Sequence, residues 1–131
     1  ARHAHRVLIG AYLNLGSLKE YLRRSDRDVV ILCAGWKNKF NLEDTLFAGA
    51  LAERLLTSGH FHTVCDATHA SVDLWHLAKH DISGYIEKAA QRHRLKKNNL
   101  DDVIGYCHTT DLTQLIPVLE QDYLTLAADP E

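Results

Sequence analysis

The residues whose types and spacing most readily suggest chemistry are Glu43 and Asp44, adjacent carboxylates that follow an apolar run, Val29 to Leu32, and a polar loop, Trp36 to Phe40. Asn41 stands where it can cap a helix, which places both acids in the first turn, at the positive end of the helix dipole. Such a pair could bind Mg²⁺, a hard cation that takes one or two carboxylates and keeps several waters. Helix-end electrostatics without a ligand is the commoner reason for acids in a first turn, so the pattern alone leaves both readings open. Asp111, which with Asp102 brackets a short helix and a loop before the last apolar strand, is a reasonable place for another site carboxylate. Asn14, just after the first apolar segment, is expected at the same sheet edge as the Trp36 to Asp44 loop, the edge where open α/β sheets bind ligands.

Other groupings carry less. Arg92, Arg94, Lys96 and Lys97 could receive an anion, but they equally suit the negative end of a helix. His69, His76 and His80 could share a helix face, yet no HExxH arrangement is present, and the nine histidines are read as surface residues without a role. No GxSxG elbow supports a serine nucleophile, and neither GxGxxG nor a P-loop supports a nucleotide site.

The elements that must position these residues follow from the apolar pattern. Arg6 to Gly10 reads as a first strand, Asn14 to Arg24 as a helix with Leu15, Leu18, Tyr21 and Leu22 at helical spacing, and Asp28 to Gly35 as a second strand. The continuous apolar run at Val29 suits a strand covered on both faces. Leu42 to Leu56 is then a long helix whose Ala48, Gly49, Ala50 and Ala52 leave one side thin. Gly49 costs about 1 kcal/mol of helix propensity relative to Ala, so a neighbour is expected to pack against it. Cys65 to Lys79 reads as a helix with Ala67, Ala70, Leu74 and Leu77 inward. Ser83 is expected to cap the next, with Ile86, Ala89 and Ala90 inward, and Leu100 to His108 is a short one. Leu115 to Leu119, with its internal Pro117, reads as an edge strand, and Tyr123 to Leu126 as its hairpin partner. The alternation of strand and helix predicts an α/β fold, a mainly parallel sheet covered by helices, with a carboxyl-terminal β-hairpin.

At 131 residues, one domain spanning 1–131 is expected. The composition, 46% hydrophobic and 24% charged, is that of a globular domain, and no apolar run reaches the roughly 20 residues of a membrane span. A net charge of -2 gives no global attraction to nucleic acid. Cys33, Cys65 and Cys107 are odd in number and form no CxxC, which points to reduced thiols and a cytoplasmic setting. No signal peptide is visible. With no Met at any position, the sequence is expected to be part of a longer chain.

Two segments, ILCAGWKNKFNLEDTLFAGALAERLL and LDDVIGYCHTTDLTQLIPVLE, resemble the carboxyl-terminal half of the 2-phosphosulfolactate phosphatase family. The likeness lies in the apolar run closing in Ala34 and Gly35, then Leu42, Glu43, Asp44 and the Ala48, Gly49, Ala50 helix. In the second segment Asp102, Val103, Cys107, Asp111 and the Ile116, Pro117, Val118 strand fall in the family's order, and VLIGAYLN resembles the stretch before its helix. The resemblance implies Mg²⁺-dependent hydrolysis of 2-phospho-3-sulfolactate to sulfolactate and phosphate, a step toward coenzyme M. It carries over Glu43 and Asp44 as metal or phosphate-site residues, and Asp111 and Asn14 as catalytic candidates. The expected partner is a small phosphorylated sulfo- or carboxylic acid, with homo-oligomerisation open. The alternative is a catalytically silent association module whose site needs the family's amino-terminal part or another subunit.

Overall fold

Asn41 sets the start of the longest helix. Its side-chain oxygen accepts the backbone N–H of Glu43 at 2.9 Å and of Asp44 at 3.3 Å, satisfying two donors that a helix end otherwise leaves unpaired. The computed structural model, which describes residues 3–128, runs this helix (α2) over Leu42–Leu56. The thin side is used as expected. A Cβ on Gly49 would stand 2.0 Å from the Ser71 carbonyl oxygen and 2.8 Å from the Trp75 Cβ, so the backbones of α2 and α3 (Asp66–Ala78) approach where only glycine fits.

That approach decides which face of α3 is inside. Trp75 and Ala78 are buried and Leu74 is partly so, whereas Ala67, Ala70 and Leu77, expected inward, are exposed. The helix is turned so that Ser71 and Trp75 meet the Gly49 notch, and the Trp75 indole N–H donates to Glu53 of α2 at 2.7 Å. His76 and Lys79 reach the same carboxylate at 2.6 and 3.0 Å. Beyond it, Asp81 rather than Ser83 caps α4 (Ile82–Tyr85), accepting the Gly84 N–H at 2.9 Å. A short 3₁₀ turn, Ile86–Lys88, leads into α5 (Ala90–Lys97), and α6 (Ile104–Cys107) follows. Ile86 and Ala89 are buried as expected, but Ala90 is exposed. The core joins Leu46, Ala78, Ile86, Ala89 and Ile104, with Leu42, Leu74, Ile82, Tyr85 and Leu95 around them. These helices make up one compact unit, Ile31–His108.

The second unit joins the chain up to Val30 with the chain from Thr109 onward. Here β1 (Val7–Leu8), β2 (Pro117–Glu120) and β3 (Tyr123–Leu126) form an antiparallel sheet in the order β1-β2-β3, with Val7 opposite Leu119 and Val118 opposite Thr125. The hairpin is where it was expected. Its first strand, however, is central rather than an edge, and Pro117 is tolerated because it occupies the strand's first position. Helix α1 (Leu15–Arg23) buries Leu15, Leu18 and Tyr21, and Tyr12, Ile116 and Val118 are also buried in this unit.

The mainly parallel sheet is not found, and this corrects the sequence-based expectation. Among the described residues the sheet is small and antiparallel, and Val29 to Leu32 is not a strand. The segment lacks what the apolar pattern cannot supply, a neighbouring backbone to pair with.

Candidate active site

In the Ile31–His108 unit, Glu43 and Asp44 stand together at the head of α2 and have different surroundings. Asp44 spends one carboxylate oxygen on the loop before it, accepting the Gly35 N–H at 2.6 Å. Gly35 has φ +68, and a Cβ there would lie 2.7 Å from the Lys39 carbonyl oxygen, so glycine is required at this bend. Trp36 and Lys39 then exchange both backbone hydrogen bonds, at 3.1 and 3.0 Å, around Lys37 and Asn38 at φ 51 and 60. Two successive positive φ values make this a tight mirror-image turn, with the exposed Trp36 at its start. The Arg94 guanidinium of α5 lies over that ring, 4.8 Å from its centre, and also donates to Gln91 Oε1 at 3.0 and 2.6 Å.

Glu43 is half-buried, and its Oε1 is closed to solvent with no hydrogen-bond partner among the described residues. Burial pushes its carboxyl above the usual carboxylate range. The field of His108 pulls it back, that of Asp44 pushes it up, and those of Arg94 and Arg92 pull it down. Arg92 donates through Nε to Glu87 at 2.8 Å, while its Nη1 is buried without a partner among the described residues. His108 Nδ1 lies 2.8 Å from the Ile104 carbonyl oxygen, which only accepts, so that nitrogen carries a proton. A desolvated carboxylate oxygen with cations around it calls for a metal ion, a bound water or a proton.

Among the described residues no group of three or more His, Cys, Asp and Glu side chains could hold a metal. Two carboxylates at one helix end still fit Mg²⁺, which completes its shell with water and substrate oxygens, and the unsatisfied Glu43 Oε1 is an oxygen suited to it.

In the other unit Asn14 and Asp111 flank the start of α1. Asn14 is 4% exposed, and its amide is fully engaged with backbone, accepting from Ala11 N–H at 2.9 Å and donating to Ile9 O at 3.2 Å and Leu115 O at 3.0 Å. Asp111 is exposed at φ 62. Its Oδ1 accepts the Gly16 N–H at 2.5 Å, and its own N–H donates to Tyr12 O at 3.0 Å. An open groove of about 540 Å³ runs past Asp111, Ser17, Glu20 and Arg24.

The sequence reading missed the Trp36–Arg94 stack and His108. A loop tryptophan among lysines was the one visible hint of the first, and nothing set His108 apart from the other histidines. Of the His76 and His80 pair, His76 is engaged by Glu53.

The head of α2 thus carries two adjacent carboxylates, and the charges of His108, Arg94 and Arg92 act on the half-buried one. The family model for 2-phosphosulpholactate phosphatase matches residues 1–122, and the chain belongs to that family. Among curated relatives, a probable 2-phosphosulfolactate phosphatase from Gloeobacter violaceus is 36% identical over 117 residues, 88% of this chain and 48% of the relative. Relatives of the same description from Caldanaerobacter subterraneus and Thermotoga maritima are 29% and 28% identical, covering 96% and 95% of this chain and 52% of each relative. The chain thus spans about half the length of the curated relatives it matches. No helix among the described residues is long and apolar enough to cross a membrane.

Proposed function

We propose that this chain supplies the Glu43 and Asp44 part of a 2-phosphosulfolactate phosphatase site, which hydrolyses the phosphate monoester of 2-phospho-3-sulfolactate to sulfolactate and phosphate. The observation that carries the reading is the buried Glu43 oxygen with no hydrogen-bond partner among the described residues, on which the charges of His108, Arg94 and Arg92 act. Glu43 and Asp44 would hold Mg²⁺, which when bound supplies positive charge to the phosphoryl oxygens and the departing alkoxide. The Gly35 N–H keeps the Asp44 carboxylate oriented. Arg94, pre-oriented on Trp36, presents its charge to an anionic substrate with little rotamer freedom left to lose. In hydrolysis water oxygen bonds to phosphorus, the ester P–O bond breaks with its electron pair going to the sulfolactate oxygen, and the proton that a base takes from the water ends on that departing oxygen. The base is expected to be a carboxylate, and Asp111 and Asn14, which lie in the other unit, stay catalytic candidates through the family resemblance alone.

Phosphate release from 2-phosphosulfolactate, with and without Mg²⁺, tests this in the 131-residue chain and in a family-length protein. Glu43→Gln in the family-length protein should lower kcat by about 100-fold or more and weaken its Mg²⁺ dependence. Unchanged activity and Mg²⁺ dependence would remove Glu43 from the site. A second reading, a catalytically silent association module, is favoured by the half-length match. Full activity from the 131-residue chain alone would sink it.

A further inference from the structure

Two segments show the alternating exposure of strands without a backbone partner among the described residues. Ahead of α2, Val29 and Ile31 are half-buried while Val30 and Leu32 are 88% and 72% exposed. After α2, Phe61 and Thr63 are half-buried while His62 is exposed and Val64 is 93% exposed. A period of two is the strand period, and it holds over Val29–Leu32 and Phe61–Val64, while Cys33 and Ala34 are both exposed. Three of the four outward residues, Val30, Leu32 and Val64, are apolar and β-branched or γ-branched. Among the described residues, neither Val29 to Ala34 nor Phe61 to Val64 makes a backbone–backbone hydrogen bond.

Natural proteins rarely leave apolar extended edges open, because unpaired N–H and C=O groups and exposed Val and Leu side chains recruit another strand. Usual defences are missing here: no proline, bulge or lysine interrupts VVIL or FHTV. The two segments bracket one helix, as the two strands of a crossover unit do. The length comparison identifies the occupant. Relatives that match nearly all of this chain carry about as many residues again outside the match.

We infer that Val29–Ala34 and Phe61–Val64 are acceptor edges for an extended, apolar strand from the other half of the family-length polypeptide, which pairs with their free backbone groups and covers Val30, Leu32 and Val64. The inference is independent of the catalytic reading, since it concerns neither Glu43 nor Asp44.

Hydrogen exchange followed by mass spectrometry on the 131-residue chain and on the full-length Gloeobacter violaceus relative tests it. Amides of both segments should exchange near the unprotected rate in the short chain and roughly 100-fold or more slowly at the aligned positions of the relative. Fast exchange in both would overturn the inference. So would protection in the short chain that grows with concentration alongside a dimer in analytical ultracentrifugation, which would make a second copy the occupant. As a further arm, Val64→Lys should leave the melting temperature of the short chain unchanged, whereas lysine at the aligned position should lower that of the relative by several degrees. Equal tolerance in both proteins would refute the covering of this face.

Discussion

Gly49→Ala sets two effects of opposite sign against each other. In an exposed helix the change would stabilise by about 1 kcal/mol, because alanine is the better helix former. In this structure the new methyl would lie 2.0 Å from the Ser71 carbonyl oxygen and 2.6 Å from its carbon, and the obstacle is backbone that cannot rotate away. Relief requires α2 and α3 to part by about 1 Å or more to restore van der Waals distance. Such a shift also stretches the hydrogen bonds from Trp75, His76 and Lys79 to Glu53, which span the same two helices at 2.6 to 3.0 Å. Overpacking typically costs about 1–3 kcal/mol, and the upper end applies where backbone must move. The net expectation is a loss of about 1–2 kcal/mol, or about 4–8 °C in melting temperature. Urea and thermal unfolding read by far-ultraviolet circular dichroism and tryptophan fluorescence would measure it. A variant as stable as the parent, or more so, would show that α2 and α3 do not pack through this notch. Because α2 also carries Glu43, the same displacement would move the candidate site.

Two further outcomes follow from side chains with well-defined partners. Glu53 is 25% exposed; burial pushes its carboxyl up, but hydrogen bonds from Lys79, Trp75 and His76 outweigh this and hold it below the usual value of 4.5. Its folded-state affinity for protons being lowered, its contribution is fully present above the unfolded carboxylate range and is lost as pH falls from there through the lower folded-state value. Glu53→Gln should therefore cost about 1–2 kcal/mol at neutral pH and converge with the parent in acid, as denaturant melts across pH would show; a pH-independent difference would contradict the ionic role. Asn14→Ala removes three hydrogen bonds to backbone and should destabilise by about 2–4 kcal/mol in urea melts. A stable Asn14→Ala protein with lost activity would instead make Asn14 a direct participant in the chemistry.

Local signals were legible in the sequence and long-range pairings were not. The Asn41 cap, the extent of α2 and the start of α3 at Cys65 depend on neighbours a few residues away, so short spacings were enough to find them. The hairpin was visible because its strands adjoin. The inward face of α3 was misread because alanines blur the apolar stripe: Ala67 and Ala70 looked like core, and only the notch at Gly49 selects Ser71 and Trp75. The parallel sheet was expected from an apolar run, a pattern that records burial preference and carries no information about which backbone lies alongside. At the candidate site, the two carboxylates came from one cap-to-helix signature. Arg94 and His108 come from elements far along the chain, and no spacing rule joins them to Glu43.

The cap of α3 has a chemical consequence. Cys65 stands at the N-cap of that helix, where the backbone N–H of Thr68, its hydroxyl and the N–H of Ala67 favour the thiolate and lower the thiol's pKa. Cys33 is shifted the other way, by burial and the nearby Asp44 charge. Although all three cysteines are exposed, they are not equivalent nucleophiles. Of these two thiols, an alkylating reagent at neutral pH is expected to take Cys65 ahead of Cys33, as peptide mapping after brief labelling would show.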